Sequence, residues 1–282
     1  MPELPELEIM REVLAARVVG RPIREARAYR PAILKTVEPP LGVLCGRAFG
    51  GVERRGKQLI LECGDDLFVV LHLMIAGRLV LTQTSARVTK ATGFVVSFCD
   101  GEDLRLVENG TAKAAKVHVV RAPNDVEWVA RVGLEPLSDE FSVPTLSRLV
   151  AGERRQLKKL ITDQALLAGI GTAYADEILF AARLSPIRYA STLEADEIER
   201  LHAAIRTVLS EAVDRTRRES CGALVGERRT EGMAVYKRTG EPCPACGEPV
   251  AEIRFAETRT YYCPNCQAKG KTIADRRAWL RR

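Results

Sequence analysis

Two pairs of cysteines near the end of the chain constrain its fold more than any other feature. Cys243 and Cys246 form one C-x-x-C pair, Cys263 and Cys266 form a second, and 16 residues separate the pairs. This spacing is typical of a tetrahedral thiolate site for Zn²⁺. Because four sulfur ligands leave no position for water, the ion would stabilise structure and perform no chemistry. Paired redox cysteines and incidental cysteines are the alternatives.

Length and composition set the class of protein. The chain has 282 residues, 46% of them hydrophobic, which is enough for two domains or for two domains and a small module. No apolar run approaches the ~20 residues that span a bilayer, and the acidic N-terminus does not look like a secretory signal. We therefore expect a cytoplasmic protein that does not contact the membrane.

The positive charge of the chain is concentrated at its end. The formal net charge is +6, and residues 269–282 contain six basic side chains and one acidic one. A basic end on a nearly neutral chain indicates a polyanionic partner, nucleic acid first. The alternative is a solvated tail with no partner.

The first eight residues, Met1 to Glu8, carry the strongest indication of chemistry. If Met1 is removed, Pro2 presents a secondary amine one residue from the carboxylate of Glu3. An α-amino group has a pKa of ~7.7–8, so a usable fraction is unprotonated at neutral pH and can form a Schiff base. The neighbouring carboxyl group could then transfer protons. Alternatively, Pro2 and Pro5 only stiffen the start of a helix.

Hydrophobic spacing predicts a helix followed by a β-sandwich. Leu7, Met10, Leu14 and Val18 recur at helical spacing within Glu6–Val19. Short apolar runs separated by turn residues follow, as in a sandwich, against which the helix would pack. These runs are Leu59–Cys63, Leu67–Leu73, Leu79–Leu81, Phe94–Phe98, Leu104–Val107 and Val117–Val120.

The second half of the chain is mainly helical. Pro136, Ser138, Asp139, Ser142 and Pro144 indicate a linker. Helices are then predicted over 157–163, 173–183 and 195–219, the last one preceded by a capping box at 191–194. The turn Gly169-Ile170-Gly171-Thr172 stands before a helix, where backbone N–H groups and the helix dipole favour an anion. The alternative is an ordinary turn.

Three further groups of residues have local interpretations. Arg254–Tyr262 alternates like a hairpin between the cysteine pairs and carries Arg259. Taken alone, Lys57 is expected to be a solvated charge beside a strand. His72, taken alone, is expected to be a hydrogen-bonded residue of an apolar strand. The cysteines outside the pairs are predicted to be small core residues, namely Cys45, Cys63, Cys99 and Cys221.

Taken together, these motifs resemble the formamidopyrimidine-DNA glycosylases, in the wider family that includes endonuclease VIII. The matches occur in the same order and span nearly the whole chain. They are Met1-Pro2-Glu3-Leu4-Pro5-Glu6, Arg55-Gly56-Lys57, His72-Leu73 followed by Gly77, Gly169-Ile170-Gly171 with Tyr174-Ala175-Asp176-Glu177, and the four cysteines.

The resemblance implies an α+β protein that grips DNA between its domains. It implies an N-terminal catalytic β-sandwich (1–132), a helical domain with a helix–two-turn–helix motif (133–225), a zinc finger (226–270) and the basic tail (271–282).

The resemblance also implies roles for individual residues. In the family, the N-terminal proline attacks the sugar of a damaged nucleotide, releases the base and cleaves the strand by β,δ-elimination. Pro2 matches this nucleophile, Glu3 the catalytic acid and Lys57 the catalytic lysine. His72 and Tyr236 match phosphate contacts, and Lys158 falls near a lysine that binds the lesion strand.

The sequence departs from the family at several DNA contacts. Thr172 replaces an asparagine that holds phosphate, and Thr258, followed by Arg259, replaces an arginine of the finger. Where the family inserts Met, Arg and Phe into the gap left by the flipped base, this chain has Ile75, and 108–113 supplies no Arg or Phe at the matching place.

We therefore predict a monomeric, nucleoid-associated DNA glycosylase with AP-lyase activity on oxidised bases in double-stranded DNA. One rival hypothesis is a damage-binding protein of the same fold that has lost turnover. Another is a zinc-ribbon adaptor for protein partners, which leaves the N-terminus unexplained. The joint presence of Pro2, Glu3 and Lys57 favours the enzyme, because a binding protein needs no amine beside a carboxyl group.

Overall fold

The computed structural model describes residues 1–110, 113–225, 230–255 and 258–273. It divides into a first unit, residues 1–132 with 213–228, and a second unit, residues 133–212 with 229–282. Within the described residues, no helix is both long and apolar enough to cross a lipid bilayer. The basic tail predicted for 271–282 lies outside the described residues from position 274 onward.

The first unit contains a β-sandwich of two four-stranded sheets. One sheet has the strand order β1-β6-β7-β5 and the other β2-β3-β4-β8, and all pairings are antiparallel. The strands are β1 (Ile23–Ala28), β2 (Gly51–Arg55), β3 (Gln58–Glu62), β4 (Phe68–His72), β5 (Gly77–Gln83), β6 (Thr92–Phe98), β7 (Glu102–Glu108) and β8 (Lys116–Val120).

Helix α1 (Leu4–Val18) precedes the sandwich and is buried along most of its length. Leu7, Met10, Leu14 and Val18 join the main core with inward residues of both sheets, as their helical spacing predicted. Glu6 is buried too, and its carboxylate accepts the backbone N–H of Glu3 at 2.8 Å, which satisfies a donor at the start of the helix.

The sheet β2-β3-β4-β8 has two distinct buried faces. Leu59, Leu61, Val69, Leu71, Val117 and Val119 point to the main core. Because side chains alternate along a strand, Ile60, Val70 and Val120 point the other way, where they pack with Val126 and Val129. The short helix α2 (Glu127–Ala130) therefore covers the outer face of this sheet.

The second unit is built from helices and a hairpin finger. The helices that follow α2 in the chain are α3 (Val143–Val150), α4 (Leu157–Ile161), α5 (Thr172–Ala181), α6 (Ala195–Ser220) and α7 (Pro264–Ala268). Residues 213–220 of α6 belong to the first unit. The finger contains the antiparallel pair β9 (Ala251–Phe255) and β10 (Thr258–Tyr262). The fold confirms the predicted α+β class, with sandwich, helical region and finger.

Several expectations need correction, and most concern segments with little apolar character. The prediction omitted the edge strands β1 and β2, because each consists largely of charged residues and has no apolar run. Ser142 and Pro144 begin α3 and are not linker residues: Ser142 Oγ accepts the N–H of Thr145 at 3.4 Å. Serine and proline mark turns and helix starts alike, so their type did not distinguish the two.

Two further local predictions were wrong. The side-chain bond at the start of α6 joins Glu194 and Glu197, not 191–194: the N–H of Glu194 donates to the Glu197 carboxylate at 2.9 Å. Of the cysteines outside the pairs, Cys63 is buried, but Cys45, Cys99 and Cys221 are exposed and are not core residues.

A tight turn between β4 and β5 depends on Gly77. The N–H of Gly77 donates to the carbonyl of Leu73 at 2.9 Å, and a Cβ built on Gly77 would lie 2.3 Å from that oxygen. Met74 in the same turn has a φ of +53°, a conformation that a side chain disfavours. The turn presents Ile75 to solvent with 73% of its surface exposed.

We expect Gly77→Ala to lower the free energy of unfolding by ~1–3 kcal/mol, because the added methyl group must displace backbone. Urea denaturation of the full chain measures the change. Gly42→Ala is the matched control: nothing lies within 4 Å of its Cβ, so its effect should stay within ~1 kcal/mol. Equal effects of the two substitutions would show that the close approach at Gly77 is unimportant.

Candidate active site and nucleic-acid interface

The N-terminal residues assigned to chemistry are buried at the start of α1. Glu3 is the N-cap and is 3% exposed, Pro2 is buried, and Met1 is 42% exposed. Pro5 is in the first turn of the helix, so the structural interpretation of a proline holds for Pro5. Pro2 lies before the N-cap, outside the helix that it precedes.

An ion pair joins α1 to the turn that carries Lys57. Glu8 Oε2 accepts a hydrogen bond from Arg54 Nε at 2.8 Å, and a second Arg54 nitrogen donates to the carbonyl of Gly56 at 3.1 Å. Burial raises the pKa of Glu8, but hydrogen bonds from Arg54 and Arg11 outweigh it and the net pKa is lowered. Sequence reasoning missed Arg54, because an arginine on an edge strand usually faces solvent.

Lys57 lies in a two-residue hairpin loop between β2 and β3. Gly56 has a φ of +56°, whereas Lys57 does not share this conformation, as in a type II′ turn. Lys57 is buried, 7% exposed, and is not the solvated charge that its position alone suggested. The loop thus fixes the backbone from which the buried Lys57 side chain extends.

His72 is a neutral donor at the end of β4. Its Nδ1 accepts the N–H of Met74 at 3.1 Å, so the neutral ring carries its proton on Nε2. Burial first, and then Lys116, Lys57 and His118, lower the pKa of His72 to about 4. At neutral pH the ring therefore offers an N–H group without a positive charge.

The segment after β7 follows a buried acid. Glu108 is fully buried at its side chain; Oε1 accepts the N–H groups of Ala114 and Ala115 at 2.8 and 2.9 Å, and Oε2 pairs with Arg30. Of the stretch 108–113 discussed above, positions 111 and 112 lie outside the described residues.

In the second unit, four of the predicted DNA contacts meet at the N-terminus of α5. Gly171 is the N-cap of this helix. A pocket of about 330 Å³ opens beside it, and its lining includes Lys237, which sequence reasoning missed. The pocket is lined by Thr172, Tyr236, Lys237, Thr258, Arg259 and Tyr261. Two cationic side chains and a helix N-terminus favour an anion here.

Two adjacent carboxylates of α5 hold the pocket together. Glu177 accepts the backbone N–H groups of three successive residues, Ala234, Val235 and Tyr236, at 2.6, 2.9 and 2.9 Å. Asp176 accepts the N–H of Tyr261 at 3.1 Å. The sequence shows this acidic pair as part of the family motif but does not reveal its role. The backbone groups that the pair binds are at least 57 residues away along the chain.

Lys158 is engaged within the protein. Its Nζ lies 2.6 Å from Asp176 Oδ1, and it donates to the carbonyl of Arg259 and the hydroxyl of Thr260, both at 2.9 Å. These three partners match the three donors of an ammonium group. Burial raises the pKa of Asp176 to about 7 against the opposing effect of Lys158. The structure thus gives Lys158 a role in fastening the finger to α4 and α5; contact with the lesion strand stays a prediction.

The four cysteines of the C-x-x-C pairs form a cluster that fits zinc. Their Sγ atoms all lie within 4.8 Å of one another, with Cys243–Cys266 at 3.9 Å and Cys246–Cys263 at 3.4 Å. Sulfurs ~2.3 Å from a tetrahedral ion lie ~3.8 Å apart, so the cluster has the right size. The finger binds one structural zinc ion, as its spacing predicted.

Comparison with known proteins agrees with this arrangement along the whole chain. Residues 1–112 match the formamidopyrimidine-DNA glycosylase N-terminal domain, 132–221 the H2TH domain of the same glycosylase, and 240–269 the zinc finger found in FPG and IleRS. The formamidopyrimidine-DNA glycosylase of Symbiobacterium thermophilum is 37% identical over 99% of this chain and 93% of its own length.

The chain belongs to the formamidopyrimidine-DNA glycosylase family.

Other members of the glycosylase family are similar in sequence or in structure. The Enterococcus faecalis glycosylase is 34% identical over 97% of this chain and all of its own length. The Lactococcus lactis glycosylase in complex with FAPY-dG containing DNA superposes with a TM-score of 0.86, 29% identity, and coverage of 94% of this chain and 100% of that one. The same enzyme bound to an AP site containing DNA gives a TM-score of 0.85.

We expect Cys263→Ser to release the zinc ion and unfold the finger, because structural zinc supplies folding free energy directly. Metal analysis should find one zinc per chain in the parent protein purified without chelator and well below one in the variant. Cys99→Ser is the control, since Cys99 is an exposed cysteine outside the cluster. Retention of zinc by Cys263→Ser would contradict the assignment.

Proposed function

We propose that this chain is a bifunctional DNA glycosylase and AP lyase that excises oxidised bases from damaged double-stranded DNA. The observation that carries the proposal is the buried pair Pro2 and Glu3 directly behind an exposed Met1. Removal of Met1 frees the Pro2 nitrogen directly before the start of α1. The amine and the acid are then adjacent, as covalent base excision requires.

The chemistry follows from the properties of that amine. A terminal amine with a pKa of ~7.7–8 is partly unprotonated at neutral pH. Its lone pair attacks C1′ of the damaged nucleotide, the bond from C1′ to the base breaks, and the base leaves with a proton. The C1′–O4′ bond then breaks as O4′ takes up a proton, which opens the sugar and leaves an iminium ion between Pro2 and C1′. The iminium ion acidifies the C2′–H, so the 3′-phosphate and then the 5′-phosphate leave by β- and δ-elimination. Glu3 is the group for proton transfer, and Lys57 supplies a fixed positive charge.

Phosphate contacts hold the substrate in register. His72 contributes a neutral N–H donor, and the pocket at the N-terminus of α5 contributes an anion site. There, Lys237 has a φ of +61°, a conformation uncommon for a residue with a side chain. Lys237 and Arg259 compensate for the asparagine and arginine that Thr172 and Thr258 replace. Tyr236 is held beside them through Glu177.

The proposed enzyme acts as a monomer on chromosomal DNA. Its substrate is DNA, so we infer that it works at the nucleoid in the cytoplasm. We infer a monomer, in which zinc holds the finger and takes no part in the reaction. The rival hypothesis, a damage-binding protein without turnover, keeps all the phosphate contacts and predicts binding without a covalent intermediate.

We expect borohydride to trap a covalent adduct between the enzyme and abasic DNA, with intact mass analysis showing that Met1 is absent. N-acetylated protein should not trap, because acylation removes the lone pair of the amine. Equal trapping by acetylated or Met1-retaining protein would move the nucleophile elsewhere, with Lys57 the next candidate. Absence of trapping with intact DNA binding would favour the rival hypothesis.

We expect Glu3→Gln to lower the single-turnover rate of base excision by ~10²–10⁴-fold, the range of a general acid. DNA affinity should remain. Glu12→Gln is the matched control, because Glu12 is on the same helix and is paired with Arg217 at the surface. Excision by Glu3→Gln within ~10-fold of the parent, ~1.4 kcal/mol of barrier, would exclude the acid role.

The exposed Ile75 predicts weak discrimination of the base opposite the lesion. An isoleucine can stack in the gap left by a flipped base, but it has no donor with which to read a base edge. We expect single-turnover excision rates for one lesion opposite the four bases to differ by less than ~100-fold, ~2.7 kcal/mol. A larger spread of excision rates would show that a side chain other than Ile75 recognises the base opposite the lesion.

Ile75→Ala should slow excision from duplex more than from single-stranded DNA, since only the duplex must be held open. Val37→Ala is its control, being an exposed apolar side chain on a different loop. Equal slowing on the two substrates would argue against a wedge.

A further inference from the structure

A second cation lies beside His72 on the outer face of the sheet. Strands β4 and β8 are paired in a register that sets His72 directly opposite Lys116. Val117 and Val119 of β8 point to the main core, so Lys116 and His118 point to the outer face together with His72. Cross-strand neighbours on one face have Cβ atoms ~4.5–5.5 Å apart, which keeps the two side chains close.

Trp128 of α2 connects these two residues. Its ring meets that of His72 edge-on, with centroids 5.4 Å apart and an interplanar angle of 76°. The ammonium of Lys116 lies 3.3 Å from the centroid of the same ring, in a cation–π contact. Val126 and Val129 anchor α2 on the sheet, and Trp128 itself remains 37% exposed. The ring therefore fixes the ammonium at a solvent-accessible edge.

The surroundings of Lys116 are positively charged. Burial first, and then Lys35, lower the pKa of Lys116, and no carboxylate contributes to the shift. Among the described residues, no acidic side chain forms an ion pair with Lys116. Lys116 in turn lowers the pKa of His72 and of His118. The positive charges of Lys116 and Lys35 repel each other in the free protein, and a bound anion would relieve that repulsion.

We propose that Lys116, held by Trp128, binds a DNA backbone phosphate next to the phosphate bound by His72. This inference rests on the proposed function, since it extends the DNA contacts of the same enzyme. The two side chains offer complementary contacts: His72 donates a hydrogen bond without charge, and Lys116 supplies the charge. Lys116 is a positioning residue that does not touch the reacting atoms.

A phosphate contact has a signature that a structural role lacks. Each phosphate neutralised by a protein cation contributes ~0.9 to the slope of log affinity against log salt concentration. Such a contact carries no base information, so its loss weakens binding to damaged and undamaged DNA alike. A change in the salt slope therefore separates binding of phosphate from support of His72.

The experiment measures the affinity of the zinc-loaded full chain for an abasic-site duplex and an undamaged duplex between 50 and 200 mM salt. Lys116→Met should reduce the slope by ~0.9 and weaken binding to both duplexes by the same factor. Lys116→Arg should keep the slope, because the charge is retained. Arg24→Met is the matched control: it removes one exposed positive charge from β1, in the other sheet, and should leave the slope unchanged.

Trp128→Leu tests whether the Trp128 ring positions the ammonium group of Lys116. It keeps the charge, so the slope should stay while affinity falls several-fold below that of Arg24→Met. An unchanged slope in Lys116→Met, or the same decrease in Arg24→Met, would overturn the inference. If Lys116→Met does not fold, the outcome depends on Trp128→Leu, whose unchanged affinity would overturn it. Borohydride trapping by the parent protein tests the proposed function separately, because binding slopes do not require turnover.

Discussion

The second unit depends on two neighbouring carboxylates of α5. The finger has a small core, in which Val235, Val250 and Tyr261 pack with two of the zinc-binding cysteines. Such a core cannot order the surrounding loops by apolar contact alone. Asp176 and Glu177 supply directional bonds in its place: Glu177 binds three successive N–H groups, and Asp176 binds Lys158 and the hairpin. The anion pocket at the start of α5 exists because both sides of it are bound to this helix.

In the first unit, one sheet has an apolar face and a second face that carries ionisable side chains. Its inner face joins the main core, with α1 and the opposite sheet. Its outer face is only partly covered, by the short helix α2, and carries His72, Lys116 and His118. Ionisable groups at the rim of a small apolar cluster have shifted pKa values, which is how His72 remains neutral at physiological pH. The side chains that we propose to contact DNA are thus held on rigid strands.

Two departures from the family motif, Thr172 and Thr258, concern predicted DNA contacts, and the structure provides neighbouring cations at both. Thr172 and Thr258 lack the groups that the motif usually offers to phosphate, and both line the pocket that also contains Lys237 and Arg259. On the other unit, Lys116 adds charge beside His72. Phosphate binding tolerates such exchanges, because it depends on the number and location of charges more than on a single side-chain geometry.

The sequence by itself determined the features that depend on local spacing. The zinc ligands, the helical face of α1 and the apolar inner strands follow from repeats of a few residues, and the motifs in their order identified the family. Tertiary structure decided what depends on distant partners. It made edge strands of the polar segments β1 and β2, and it paired Lys158 with Asp176 of α5. It also set Lys116 opposite His72. Polar side chains acquire their roles from the groups that folding brings to them, and one-dimensional spacing carries no information about those groups.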